Sequence, residues 1–313
     1  MFVLTQFIGL YVLDSYSKTK VIDGESLNVT DAPELPYGME TPEIAGEKDY
    51  TSIFYSIILA FVLAITILFL LTKFNAAFII KAWFFLVVAL ALGIAINVFI
   101  PKIQMASLIA LVIALPLAFI KIYKQNFIVH NATELLIYPG IAAIFVPILN
   151  LRTIIILLVI ISVYDMWAVW RSGIMQKMAK YQIQKLKIFS GFFVPYTDKK
   201  TKQKIKLLKQ KLKEKKISEK EINKKKISVQ VAILGGGDVV FTIFAAGVML
   251  KTYGFTKILG FSIPLASIWV ILGATLGLSY LFFFSEKKKF YPAMPFITTG
   301  IFLGMLVNWI FLH

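Results

Sequence analysis

Long apolar runs decide what this chain can fold into. Stretches of about 20 apolar residues, the length a helix needs to cross a hydrocarbon core, fall at roughly 52–72, 77–100, 103–120, 132–150, 153–170, 229–250, 257–284 and 291–312. A bilayer offers the backbone no water, so such runs read as membrane-spanning helices whose amide bonds are satisfied internally. Residues 1–16 are also apolar but would reach only about 24 Å as a helix. They lack a basic leading region and a small-residue cleavage site, so they read as a short first span and a poor signal peptide. The expected fold class is an all-α polytopic membrane protein with nine transmembrane helices, the first one short.

Charge fixes the arrangement of these spans. A formal net charge of +16 over 313 residues suggests a partner such as nucleic acid. However, residues 171–228 alone hold 19 Lys/Arg against 4 acids, and the rest of the chain is nearly neutral. Aromatic residues for stacking on bases are absent from the lysine-rich 199–226, so no nucleic acid partner is expected. Placing 171–228 on the inner side and alternating the spans puts 25 basic residues inside and 7 outside, in keeping with the positive-inside rule. Lys81 is left near the inner end of the third span, where it can snorkel. The reading is a multi-pass protein of the cell membrane with its N-terminus and the 171–228 loop cytoplasmic and its C-terminus outside. Segment 17–50 carries eight acids against three lysines, with Pro33, Pro36, Pro42 and Gly38, and reads as an irregular outer loop.

Three regions follow: a six-helix half (1–170), a basic cytoplasmic loop (171–228) and a three-helix half (229–313). Within the loop, Ile174, Met178, Tyr181 and Ile183 alternate with Lys177, Lys180, Lys185 and Lys187. That pattern suits an amphipathic helix on the inner membrane surface. Residues 199–226 read as a tether to anionic lipid.

Ionisable groups are scarce within the spans. Glu134 is expected at the mouth of the fifth span and Glu286 just beyond the eighth, leaving Asp165 and Asp238 at depth, roughly 9 and 15 Å from the cytoplasmic ends of spans six and seven. An intramembrane acid is costly and marks function by default. A hydrogen bond to a neighbouring helix accounts for one such acid, but less readily for two in consecutive spans. Asp165 shares a helical stripe with Ser162, Ala168 and Ser172, and Asp238 with Gly235, Thr242, Ala245 and Ala246. Stripes of small residues are where membrane helices approach closely, so both acids are expected in one contact between spans six and seven. Two adjacent carboxylates in low dielectric hold one proton between them. One then acts as general base on water while the other polarises a carbonyl, which needs no metal and no cofactor. The chain has no cysteine and only two histidines, His130 and His313. It lacks the H-E-x-x-H motif of a zinc protease, and no intramembrane His is expected for a serine type.

Three motifs surround the acids. Tyr164-Asp165 ends span six, Gly235-Gly236-Gly237-Asp238 opens span seven, and Tyr291-Pro292-Ala293-Met294-Pro295 opens span nine. Three glycines weaken a helix start and let the backbone approach a substrate strand. Paired prolines keep a stretch non-helical, which membrane depth tolerates only where protein or a water cavity covers it. In these motifs the chain resembles the presenilin and signal peptide peptidase family of intramembrane aspartyl proteases, most closely its archaeal presenilin-like members. The family carries YD in span six, GxGD in span seven and PAL at span nine. Here Met294 stands for the leucine of PAL, a volume-conserving change.

The resemblance implies a catalytic pair of Asp165 and Asp238. It implies a substrate-binding surface from Tyr164, Gly235, Gly236, Gly237, Pro292, Ala293, Met294 and Pro295. It further implies single-span membrane-protein substrates and no obligatory partner subunit. The alternative is an ion- or proton-coupled transporter using the two carboxylates. That reading calls for an inverted repeat, which the sequence does not display. Gly273/Gly277 and Gly300/Gly304 have GxxxG spacing and read as helix-packing faces in spans eight and nine. Asn28-Val29-Thr30 is a glycosylation sequon on the expected outer loop.

Overall fold

The computed structural model describes residues 1–17, 20–22, 25–27, 35–42, 47–124, 126–172, 181, 188, 190–196, 230–258, 261–285 and 291–312. Among these residues the chain forms nine long helices: α1 (Phe2–Tyr16), α2 (Glu47–Lys73), α3 (Ala77–Asn97), α4 (Ala106–Phe119), α5 (Phe127–Phe145), α6 (Leu151–Met166), α7 (Gly236–Tyr253), α8 (Leu265–Phe284) and α9 (Met294–Leu312). Seven of them are long and apolar enough to cross a membrane, α4 with its extension to Lys124, while Phe2–Tyr16 is shorter. Large side chains such as Phe69, Leu86, Leu276 and Phe283 stand exposed around the bundle. That is the surface of a protein solvated by lipid. Most of the amphipathic pattern over 171–188, the lysine-rich 199–226, the sequon at Asn28 and Glu286 lie outside the described residues.

Helix α7 is the axis of the bundle. It touches α1, α5, α6, α8 and α9, and its residues from Phe241 to Leu250 are all buried. Small residues make this enclosure fit. Gly9 of α1 lies against Ile243, and Gly247 of α7 faces Leu13 and Val146. Gly140 of α5 meets the Ala91 carbonyl of α3, where a methyl group would collide with backbone. At the other side, Gly273 and Gly277 of α8 lie directly on backbone of Gly300 and Phe296 in α9, and Gly300 and Gly304 on Gly273 and Trp269. The GxxxG spacings are thus a backbone-on-backbone seam.

Helix starts follow local signals. Asn126 accepts from the amides of Ile128 and Val129, and Asn150 forms a capping box with Thr153. These caps set the phase of α5 and α6. Beyond Phe119 and Met166 the chain widens into π-helical turns, Ile120–Lys124 and Trp167–Ser172.

The boundaries differ from the sequence expectation in two functional places. The apolar run places the start of the seventh span at 229, but the helix begins at Gly236. Residues Gln230–Gly235 are a strand (β4), antiparallel to β3 (Gly191–Tyr196), pairing Gly191 with Gly235 and Tyr196 with Gln230. β-branched Val231 and Ile233 suit a strand, and the glycines resist helix initiation. The basic loop therefore supplies one strand of a hairpin built onto α7. The eighth span likewise begins late, at Leu265, after a hairpin of Thr256–Ile258 with Phe261–Ile263 and then Pro264. In the acidic segment, Lys20–Ile22 pairs with Glu25–Leu27. Tyr37, at a φ of 70°, then packs its ring against Gly93 of α3.

Candidate active site

Three helix ends meet at the end of the bundle that carries Lys73, Lys121, Lys124 and Arg171. They are the last turn of α6, the first turn of α7 and the start of α9. Asp165 on α6 is buried, at 7% exposure. Its Oδ2 accepts the Met294 amide at 3.1 Å, and the Ala293 amide also donates to this carboxylate. The prolines explain why those amides are available. Tyr291, Pro292 and Ala293 are non-helical, and Pro295 sits in the first turn of α9, where a missing N–H costs nothing. A helix N-terminus with free N–H groups is a natural seat for a carboxylate. Ser162, one turn before Asp165, donates to Thr298 Oγ1 at 2.8 Å, pinning α6 to α9.

Asp238 is half-buried at the third position of α7. Its carboxylate folds back to accept the Gly235 amide, the reciprocal half of a capping box. Asp165 and Asp238 are close enough to interact electrostatically, across a contact between α6 and α7. Ser162 and Ala168 beside Asp165, and Thr242, Ala245 and Ala246 beside Asp238, are buried, as their small-residue stripes predict.

The three glycines have separate reasons. At Gly235 a Cβ would lie 3.1 Å from Asp238 Oδ2, crowding the folded-back carboxylate. At Gly236 it would lie 2.6 Å from Tyr138 Oη and 2.7 Å from Ser190 Oγ, so α5 leaves no room there for a side chain. Gly237 is exposed, and the closest atom a Cβ would meet is in Phe241, at 3.9 Å. It leaves open space beside the acid. Tyr164 is not brought to the pair: it is 41% exposed and its ring packs against Trp167.

Sequence reading missed a second polar cluster. Glu134, expected at the mouth of its span, is fully buried in the middle of α5 and ion-pairs with Lys121 from the turn after α4. Lys121 Nζ lies 3.2 Å from His130 Nδ1. An ammonium only donates, so Nδ1 accepts and Nε2 carries the proton, which it donates to the Gly191 carbonyl at 2.8 Å. Glu134 Oε1 accepts the Gly191 amide. Asn131 takes both polar groups of Phe193, donating to its carbonyl at 2.9 Å and accepting its amide at 3.1 Å. A signal was available: His130, Asn131 and Glu134 share one helical face in an otherwise apolar span. Among the described residues no three His, Cys, Asp or Glu side chains converge as a metal-ligand set.

A helical membrane bundle that brings two acids within electrostatic reach where three helix ends meet suits an intramembrane aspartyl protease. The family model described as signal-peptide peptidase, presenilin aspartyl protease, matches residues 37–313. The chain belongs to that family, and it is an intramembrane aspartic endopeptidase acting on membrane proteins. Two solved structures of a presenilin-family intramembrane aspartate protease, in C222 and P2 crystal forms, share its fold. Their TM-scores are 0.57 and 0.55, each at 18% identity over 99% of this chain and 96% and 95% of theirs. No curated protein matches the chain. The transporter alternative is not supported.

Proposed function

We propose that Asp165 and Asp238 are the catalytic pair of this protease. The observation that carries the reading is their convergence at three helix ends, without a cation beside them among the described contacts. The pair holds one proton and titrates as a unit. Its ionised carboxylate takes a proton from water as the oxygen attacks the scissile carbonyl, and its protonated partner donates to the carbonyl oxygen. Collapse of the tetrahedral intermediate breaks the C–N bond, with a proton delivered to the leaving amine. Asp238→Ala protein, purified in detergent and given a membrane-spanning peptide, should produce no cut. Continued cleavage would refute the assignment.

Substrate is bound by strand addition. Phe192 and Val194 face β4 in the ladder, since Gly191 and Phe193 spend their polar groups on α5. One edge of the hairpin is therefore closed. The outer edge of β4, at Val231, Ile233 and the Gly235 carbonyl, is unpaired by any described strand and runs straight toward Asp238. An unwound single-span substrate pairs there, with Gly237 giving it room and Pro292, Ala293, Met294 and Pro295 forming the far wall. Tyr164 contributes from outside, at the α6 surface.

In the cell membrane the site lies toward the cytoplasm, with the N-terminus and the 171–228 loop inside and the C-terminus outside, a reading the lysine distribution supports. The enzyme works without an obligatory partner subunit. Because the chain has no cysteine, single cysteines at Lys209 and Asn28 can be labelled selectively. An impermeant thiol reagent should reach Asn28→Cys in intact cells and Lys209→Cys only after permeabilisation.

A further inference from the structure

We infer that Asn131, together with His130 and Glu134, positions the β3–β4 hairpin and thereby sets which peptide bond of the substrate is cut. The inference rests on the reading that Asp165 and Asp238 are the catalytic pair and that substrate pairs with β4. It adds a role for residues on α5 that touch neither acid.

The argument starts from how a strand is held. β3 is paired with β4 on one edge, and on the other it meets α5 and, among the described residues, no strand. There, side chains complete the ladder. His130 and Glu134 take the carbonyl and amide of Gly191, and the Asn131 amide takes both groups of Phe193. Gly191 and Phe193 are alternate residues, so this is the spacing with which a neighbouring strand would bind them. The four hydrogen bonds fix the hairpin along its length relative to α5, and the Asn126 cap fixes α5 in turn. Glu134 keeps its place because Lys121 neutralises it. Gly236, locked against Tyr138, ends the hairpin next to Asp238.

Register follows. A strand advances about 3.4 Å per residue, and Gly236 holds one end of β4 beside Asp238. A hairpin that swings away from α5 therefore lets the bound substrate strand pair further along β4 and shifts its bonds past the two acids. Slips of about two residues preserve which face each side chain occupies. These are the slips that loosening the α5 contacts permits.

The test is the mass spectrum of products from a single-span peptide cut by full-length protein in detergent. In Asn131→Ala, cuts displaced by about two residues should rise about tenfold as a share of product, the change expected when two hydrogen bonds cease to favour one register. His130→Leu should shift the cut in the same way. His130→Gln retains an amide N–H near the position of Nε2 and should restore the wild-type cut. Should Asn131→Ala not fold, Asn131→Asp keeps the acceptor for the Phe193 amide and loses the donor, and a smaller displacement is expected. Folded variants that cut at the wild-type bond alone, however slowly, would overturn the proposal and leave the cluster a structural one. Cleavage by Asp238→Ala would instead overturn the underlying assignment of the acids.

Discussion

Glu134 and Asp165 are both buried carboxylates in the same helix bundle, yet their neighbours differ in kind. Glu134 faces the Lys121 ammonium and a backbone amide, so its charge is neutralised and its Oε1 is occupied. Asp165 faces backbone amides and a second acid. A compensated acid anchors structure, because removing either member would strand the other's buried charge. An acid paired with an acid cannot settle into one charge state, and so can exchange a proton with a reactant. The contrast separates chemistry from architecture more sharply than burial does, since both groups are buried.

The comparison breaks most visibly at the acid pair. Asp165→Ala and Asp238→Ala should each lower cleavage by about a thousandfold or more, within the range of lost acid–base catalysis, with helical circular dichroism unchanged. In wild type the rate should fall on both sides of an optimum, as the pair becomes doubly protonated or doubly ionised. In either variant any residual rate should lose one limb of that profile.

At the compensated site the loss should appear in stability. Lys121→Met removes the buried ammonium that compensates Glu134 and should cost about 3–5 kcal/mol, measured by thermal or denaturant unfolding in detergent. Lys121→Met combined with Glu134→Gln should recover much of this. A double variant no more stable than the single would show that the lysine acts by packing alone.

Gly236→Ala sharpens the comparison, because Gly236 lies between the two sites. Its added methyl must displace Tyr138, at about 1–3 kcal/mol, and should reduce cleavage as the first turn of α7 shifts. The smallest expected effect is Ser162→Ala, which removes the hydrogen bond to Thr298 and should cost about 0.6 kcal/mol with modest loss of rate.

The spans and the acid pair were legible because hydrophobic length and rare charges survive as one-dimensional signals. The Tyr164-Asp165, Gly235–Asp238 and Pro292–Met294 motifs also pointed to one site before any fold was known. The hairpin was not legible. Val231 and Ile233 continue an apolar run into α7, and periodicity alone does not separate a buried strand from a helix end. Lys121 was hidden for another reason: just past the 103–120 run it counts only as one more inner-side charge, and only the fold brings it against Glu134. Tyr164 shows the converse limit, since a motif fixes adjacency in sequence and leaves facing to the helix phase.

The glycine seam between α8 and α9 has a consequence for the order of assembly. Its contact is made by backbone from Gly273, Gly277, Gly300 and Gly304 and needs no side chain from any other helix. These two helices can therefore pair as an autonomous hairpin once both are inserted, ahead of the enclosure of α7. The Met294 amide that receives Asp165 stands at the N-terminal end of that pair.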